Sequence, residues 1–200
     1  AAVLMDEPLT VIDPDLKFRL RRKLKEINQK YKSTLIYVTH DQNEAMTFAE
    51  NIIVMDDGEI VQIGSPAELF ERPKTTFVGY FIGAPAMNLF DCDAVSSNAI
   101  KFGNVEISTN TDLKAVKNKR LKLGIRSEYL QLVKSAGKNT IHANIESVDD
   151  WGNHKLITAN FEGSNIKIKV KREVEVPIEK IYLKFPAQNC CVYENEMLIS

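Results

Sequence analysis

Residues 1–13, AAVLMDEPLTVID, contain the stretch that decides the fold of the first part of the chain. The apolar run at 1–5 has the length of a buried strand, and it ends abruptly in two adjacent carboxylates, Asp6 and Glu7. Because an unpaired carboxylate is costly to bury, such a pair is expected at the end of a strand, facing a metal ion, another cation or water. The stretch therefore predicts a strand whose carboxyl end belongs to a functional site.

A second apolar strand ends in the same way. The run TLIYV at 34–38 is followed by Thr39, His40 and Asp41. Carboxyl ends of parallel strands meet at one edge of an open α/β sheet, and ligands bind in the crevice beyond them. We therefore expect the polar groups after the two strands to lie near each other.

The segment between these strands has the pattern of a capped helix. Asp13 is suited to the N-cap, Pro14 to the first helical position, and apolar residues recur on one face. Another helix is expected after Asp41, which has capping-box spacing to Glu44. Further on, residues 51–55 and 59–64 flank a DDG turn and predict a hairpin, and the SPAE sequence at 65–68 predicts the start of a short helix.

The character of the sequence changes at GAPAMN, residues 83–88. Beyond it, short alternating segments are separated by turn signals such as Gly103-Asn104 and Gly163-Ser164, as in a small β-barrel or sandwich. We predict an α/β domain over 1–82, a linker over 83–88 and an all-β domain over 89–200.

Composition restricts the classes of function. A formal net charge of -1 argues against a general binder of nucleic acid or of an acidic membrane surface, because both need a basic excess. No apolar run approaches the roughly 18 residues of a membrane span, and no secretion signal is apparent. Three cysteines cannot form a complete disulfide framework, which suits a reducing compartment. These features predict a cytoplasmic protein.

Together the motifs resemble the ATPase subunits of ABC importers, in the branch that serves sugar and sn-glycerol-3-phosphate importers. VLMDEP at 3–8 is similar to the Walker B strand, LTVID at 9–13 to the D-loop and VTHDQNEAM at 38–46 to the H-loop. The resemblance continues through residues 55–88. LGIRSE at 123–128 is similar to the GIRPE motif of the C-terminal regulatory domain, although Ser127 replaces the usual proline.

The resemblance implies a fold and a set of residue roles. The fold is part of a P-loop ABC ATPase domain with a parallel sheet, followed by an OB-like β regulatory domain. Asp6 would hold Mg²⁺, Glu7 would be the general base that polarises the attacking water, and His40 would bridge Glu7 and the γ-phosphate of ATP. Asp13 would contribute to the nucleotide site across a dimer interface, with helix capping as its other role.

The resemblance also implies partners: permease subunits in the membrane, a second copy of the protein and a regulatory protein on the β domain. The intact protein would then be cytoplasmic and peripheral on the inner face of the membrane. Within the β domain, Arg126 and Glu128 could form a dimer contact, with a local ion pair as the alternative.

Several motifs of the intact family are missing from the sequence. None of the nine glycines belongs to a phosphate loop of the form G-x-x-x-x-G-K-[ST], and neither a Q-loop nor an LSGGQ signature is found. Backbone amides and a lysine normally cradle the phosphates of ATP. We therefore expect the chain to begin within the ATPase domain and to be inactive by itself, although its intact parent would use ATP and Mg²⁺.

Two other functions stay open. The chain could act as a non-catalytic module, in which the β domain mediates dimerisation or binds a regulator or a small ligand. It could also be an OB-type nucleic-acid binder, which would need aromatic residues interleaved with a basic groove. The basic strand at 167–172 has a simpler explanation as the solvated face of a hairpin, so no nucleic-acid partner is predicted.

Overall fold

A computed structural model describes residues 2–10, 12–117 and 120–199 of the chain. Its first part is a strand–helix–strand unit made of β1 (Ala2–Asp6), α1 (Pro14–Tyr31) and β2 (Thr34–Val38). The two strands are parallel, in a register that runs from Ala2 opposite Thr34 to Asp6 opposite Val38. Val11, within the segment similar to the D-loop, lies outside the described residues.

Both ends of α1 have identifiable signals. The Asp13 side chain accepts a hydrogen bond from the backbone N–H of Asp15 at 3.0 Å, and Pro14 occupies the first turn, where no N–H partner is needed. The helix ends at Lys32, which has left-handed backbone angles and donates its N–H to the carbonyl of Asn28. The predicted helix cap is therefore confirmed.

The next elements are short. Helix α2 (Gln42–Phe48) is followed by the antiparallel hairpin of β3 (Ile52–Asp56) and β4 (Glu59–Gly64), as the DDG turn predicted. Helix α3 (Pro66–Glu71) begins with the predicted capping box between Ser65 and Glu68, and α4 (Thr76–Phe81) follows. The hairpin pairs with itself and does not extend the parallel pair, so the parallel sheet has two strands within the described residues.

The remainder of the chain forms two antiparallel sheets. The six-stranded sheet has the order β15-β14-β8-β5-β6-β7, and the five-stranded sheet has the order β12-β11-β10-β13-β9. The strands of the first are β5 (Asn88–Ser96), β6 (Ala99–Phe102), β7 (Val105–Ser108), β8 (Arg120–Ile125), β14 (Cys191–Glu194) and β15 (Met197–Leu198). Those of the second are β9 (Gln131–Val133), β10 (Thr140–Asp150), β11 (His154–Phe161), β12 (Ser164–Lys171) and β13 (Lys180–Lys184).

The main hydrophobic core lies between these two sheets. The rings of Phe90 and Phe102 stack at 4.6 Å between centroids, and Phe185 approaches both. They pack with isoleucines of the other sheet, such as Ile157 and Ile166, which are fully buried. Burying a side chain of this size contributes about 1.5–3 kcal/mol, so the β domain has the larger share of apolar stabilisation.

The chain is therefore mostly β, and the α/β prediction for residues 1–82 holds only in part. Alternating sequence patterns predict seven strands of this region, namely β6, β7, β8, β10, β11, β12 and β13. Strands β5, β9, β14 and β15 have no clear alternating pattern, since they are short or interrupted by charged and polar residues. Their pairing partners, more than their own pattern, make them strands.

Arg126 joins the β domain to the helices before it. Its side chain is only 1% exposed, and it donates from Nε to the carbonyl of Phe70 at 2.9 Å and from Nη1 to the carbonyl of Gly79 at 2.7 Å. Because Arg126 is buried within the chain, the predicted dimer contact through this residue is wrong. Glu128 instead forms a local ion pair with Lys169, at 3.3 Å between carboxylate and ammonium.

Asn139 links the two sheets of the β domain at one end through hydrogen bonds. Its side-chain amide donates to the carbonyls of Ser108 and Phe185, at 2.7 and 3.0 Å, and its oxygen accepts from the N–H of Ser108 at 2.9 Å. Its φ of 58° is left-handed, a conformation that asparagine tolerates better than most residues. One side chain thus satisfies backbone groups of β7 and of the residue that follows β13.

We predict that Asn139→Ala lowers the free energy of unfolding by about 2–4 kcal/mol, because it leaves buried backbone groups without partners and because alanine tolerates a left-handed φ less well than asparagine. Asn139→Gly removes the same amide without the backbone penalty and should cost less. Urea unfolding measures both, with the exposed turn residue Asn104→Ala as the control, expected within about 0.5 kcal/mol of the unsubstituted chain. Equal stability of Asn139→Ala and the control would contradict this role.

Candidate functional site

The backbone turns sharply where β1 ends. Glu7 adopts a left-handed conformation with φ of 45°, which is uncommon for a residue other than glycine, and its N–H still donates to the carbonyl of Val38 at 2.9 Å. Thr10 closes the turn by donating its hydroxyl to the Glu7 carbonyl at 2.9 Å and to the Glu7 carboxylate at 3.0 Å. The turn directs the Glu7 side chain towards the end of β2.

The structure brings Glu7 and His40 into direct contact. One carboxylate oxygen, Oε1, lies 2.6 Å from Nδ1 of His40 and accepts the backbone N–H of His40 at 2.9 Å. The Glu7 side chain is 35% exposed and the His40 side chain 74% exposed, so the pair lies at the surface. With Nδ1 against Glu7, Nε2 is the ring nitrogen that can face another partner.

These contacts lower the pKa of Glu7 below its ordinary value of 4.5. The largest cause is the side-chain hydrogen bond from His40, and partial desolvation opposes it. The Thr10 hydroxyl and the His40 backbone N–H lower the pKa further. Glu7 is therefore ionised at neutral pH, with its carboxylate held in a defined orientation.

Asp6 and Asp13 take no part in the hydrogen bonds between Glu7 and His40. Asp6 is the exposed last residue of β1, and Asp13 is exposed at the N-cap of α1. Within residues 2–10, 12–117 and 120–199, no three His, Cys, Asp or Glu side chains cluster as a complete metal site would require. A single carboxylate still suits Mg²⁺, which is usually held by one or two carboxylates together with water and substrate phosphates.

Glu44 is a buried acid whose environment the sequence pattern missed. Asp41 caps α2 through the N–H groups of Asn43 and Glu44, but Glu44 does not complete the expected capping box. Instead its carboxylate accepts the hydroxyl of Tyr37 at 2.9 Å, lies 3.2 Å from the ammonium of Lys17, and is 3% exposed. Glu44 thus ties α1, β2 and α2 together behind His40.

Desolvation by burial raises the pKa of Tyr37, and the hydrogen bond to the buried Glu44 carboxylate raises it further. The alternation of TLIYV shows that Tyr37 and Leu35 share one face of β2, but not that this face meets an acid from a following helix. Only the position of α2 decides that. Glu44 is accordingly a supporting residue for the site.

Comparison with known proteins bears on this arrangement. The family model described as the MalK OB fold domain matches residues 83–130, which include β5 to β8. The sn-glycerol-3-phosphate import ATP-binding protein UgpC of Chromobacterium violaceum is 34% identical over 195 residues, covering 92% of this chain and 52% of that protein. The resemblance to the ATP-binding subunits of ABC importers is confirmed.

Other import ATP-binding proteins match to a similar degree. The maltose/maltodextrin import ATP-binding protein MalK of Vibrio parahaemolyticus is 33% identical over 202 residues, covering 96% of this chain and 54% of that protein. UgpC 1 of Rhizobium etli is 38% identical over 195 residues, covering 90% of this chain and 53% of that protein. The chain thus spans about half the length of these curated relatives.

The part of the chain that the structure describes contains no helix with both the length and the apolarity needed to cross a membrane.

We predict that His40→Ala raises the pKa of Glu7 towards its ordinary value, because the largest cause of the lowered pKa is removed. The Glu7 carboxyl ¹³C resonance, followed by NMR through an acid titration, measures this pKa. His154→Ala in the β domain is the control and should leave it unchanged. An unaltered Glu7 pKa in His40→Ala would show that the contact is not formed in solution.

The sign of the effect on stability follows from linkage. Because folding lowers the pKa of Glu7, its contacts stabilise the fold above the ordinary glutamate pKa, and this contribution is lost as the pH falls through the lowered value.

Proposed function

We propose that the chain is part of the ATP-hydrolysing subunit of an ABC importer, and that the intact protein drives uptake of a sugar or of sn-glycerol-3-phosphate. One observation carries the proposal: Glu7 and His40 meet beyond the ends of two parallel strands, at 2.6 Å. It is supported by similarity to import ATP-binding proteins along most of the chain.

In this proposal Glu7 orients the water that attacks the γ-phosphate. Its lowered pKa makes it a weak base, so its larger contribution is to hold the water in line and to stabilise developing positive charge on it. The contacts from His40 and Thr10 keep the carboxylate in one orientation for that purpose. Little covalent chemistry is required of the protein in phosphoryl transfer, where positioning and electrostatics dominate.

His40 would connect Glu7 to the nucleotide. Nδ1 faces Glu7, and the exposed remainder of the ring leaves Nε2 able to donate to a γ-phosphate oxygen. The ring would thereby hold the carboxylate and the phosphate in a fixed relation. In a neutral ring with its proton on Nε2, Nδ1 can only accept a hydrogen bond. Donation from Nδ1 to Glu7 and from Nε2 to the phosphate therefore requires a proton on both ring nitrogens.

The acidic residues beside this pair have separate roles in the proposal. Asp6 would hold Mg²⁺, which supplies charge stabilisation to the phosphates when bound. Asp13 caps α1 and, being exposed, could also reach the nucleotide site of a second copy of the protein. The permease subunits, a second copy and a regulatory protein on the β domain are the proposed partners, on the inner face of the membrane.

The chain alone is not expected to bind ATP tightly. None of its nine glycines forms a phosphate loop, and the backbone amides and lysine of such a loop supply most of the binding energy for the triphosphate.

We predict that calorimetric titration of the 200-residue chain with Mg-ATP gives no low-micromolar binding and that no phosphate is released. The intact protein, joined to a phosphate-binding half, serves as the positive control. Tight binding of Mg-ATP by the isolated chain would show that the triphosphate is held by other residues.

In the intact protein, we predict that Glu7→Gln reduces the rate of ATP hydrolysis by about 100-fold or more while ATP still binds, because the neutral amide cannot stabilise developing positive charge on the attacking water or accept its proton. Asp15→Asn, an exposed acid on α1, is the matched control and should keep the rate. Steady-state phosphate release and nucleotide binding measure the two effects. Equal rates for Glu7→Gln and the control would exclude a catalytic role for Glu7.

A second candidate is a non-catalytic module. The observation in its favour is that the main hydrophobic core lies in the β domain. By contrast, none of the described residues of α1 is buried. If the intact protein hydrolysed no ATP yet bound a regulator through the β domain, this second function would replace the first.

A further inference from the structure

The loop that carries His40 is attached directly to α2. Asp41 caps this helix by accepting the N–H of Asn43 at 2.9 Å and of Glu44 at 3.3 Å. Gln42, the first residue of α2, is therefore only two positions from His40 and belongs to a locally ordered turn. A movement of the first turn of α2 changes the position of His40, and the reverse also holds.

Gln42 connects this turn to the end of α4. Its side-chain oxygen accepts the backbone N–H of Gly83 at 3.0 Å, across 41 positions of sequence. Gly83 has a φ of 100°, and a Cβ at this position would lie 3.1 Å from Nη1 of Arg126 and 3.1 Å from the ring of Phe70. A side chain at position 83 therefore has no room unless Arg126 or Phe70 is displaced.

Arg126 completes the connection from the side of the β domain. Nη1 donates to the carbonyls of Ile82 and Gly79, and the guanidinium carbon lies 4.4 Å from the centre of the Phe70 ring. Ile82, whose carbonyl accepts from Arg126, immediately precedes Gly83, whose N–H donates to Gln42. One peptide unit, between Ile82 and Gly83, is thus held from both sides.

We propose that Gln42, the Ile82–Gly83 peptide and Arg126 form a coupling link through which the β domain and the Glu7–His40 site alter one another's geometry. Gln42 and Arg126 are positioning residues in this link, since neither touches the reacting groups. The importance of the link for ATP hydrolysis rests on the proposed function, whereas its existence does not.

The physical basis is that the contacts at Arg126 are costly to break. A buried guanidinium that loses its carbonyl partners leaves a desolvated charge, and this cost favours joint movement of the β domain and the end of α4. The hydrogen bond of Gln42 is the part of the link that a small movement can form or lose. Coupling between the two ends must also be reciprocal, because it is a free energy shared by both.

The test measures amide hydrogen exchange in the isolated chain by NMR. Gln42→Ala should raise the exchange rate at Gly83 by about fivefold, the factor for one hydrogen bond of about 1 kcal/mol. It should also raise exchange at the Arg126 Nε–H by about twofold, as expected for modest coupling. Gln42→Glu retains an acceptor oxygen, so the exchange rates at Gly83 and at the Arg126 Nε–H should match those of the unsubstituted chain.

The reverse perturbation begins in the β domain. Arg126→Lys keeps the charge but loses the planar fork, and it should raise exchange at the His40 amide by about twofold. In the Gln42→Ala background the same substitution should have no effect on His40. Arg172→Lys, an exposed arginine paired with Asp150, is the control and should change neither site.

Three results would overturn the proposal. One is an unprotected Gly83 amide in the unsubstituted chain. Another is an unchanged Arg126 Nε–H in Gln42→Ala, which decides the matter even if Arg126→Lys fails to fold. The third is an equal effect of Arg126→Lys on His40 with and without Gln42. None of these measurements involves ATP, so failure of the coupling is distinguishable from failure of the proposed ATPase function.

Discussion

The parallel pairing of β1 with β2 is the constraint on which the candidate site depends. Its register sets Asp6 opposite Val38, so that the residues after both strands emerge at the same edge. Glu7 then needs only one left-handed turn to reach His40. A slip of one residue would exchange the faces on which the side chains of β1 lie and move the carboxylates relative to His40. The site is thus a property of two short strands held in register by their backbone hydrogen bonds.

The Glu7–His40 pair combines exposure with order. Most exposed ion pairs contribute little, because two flexible side chains must be held in one geometry and are screened by water. Here the carboxylate also accepts a backbone N–H and a threonine hydroxyl, which restrict its orientation. Behind it, buried Glu44 accepts from Tyr37 and pairs with Lys17, so the framework around His40 is more rigid than its surface position indicates. Such preorganisation is what phosphoryl transfer demands of a protein.

The β domain is joined closely to the helices that precede it. Arg126 donates to carbonyls of the α3–α4 region, Tyr193 donates its hydroxyl to the carbonyl of Pro73, and the C-terminal hairpin accepts the N–H of Thr76 through the carbonyl of Glu196. Residues distant in sequence therefore form one junction. This junction places the β domain in contact with the segment that follows α2, although the main hydrophobic core of the β domain is separate. Under the proposed coupling link, a change in the β domain reaches His40 through Arg126, the Ile82–Gly83 peptide and Gln42.

The sequence by itself determined the local elements: the strand ends at Asp6 and Val38, the Asp13 and Ser65 caps, and most strands of the β domain. These follow from short-range rules of periodicity, capping and turn chemistry, which act between residues a few positions apart. Only the tertiary structure decided that the hairpin after α2 stays outside the parallel sheet and that Glu44 is buried between α1, β2 and α2. It also decided that Arg126 is buried and donates hydrogen bonds to the α3–α4 region. Each of these depends on which residues, far apart in sequence, lie close together in the fold. The local sequence pattern does not determine those contacts.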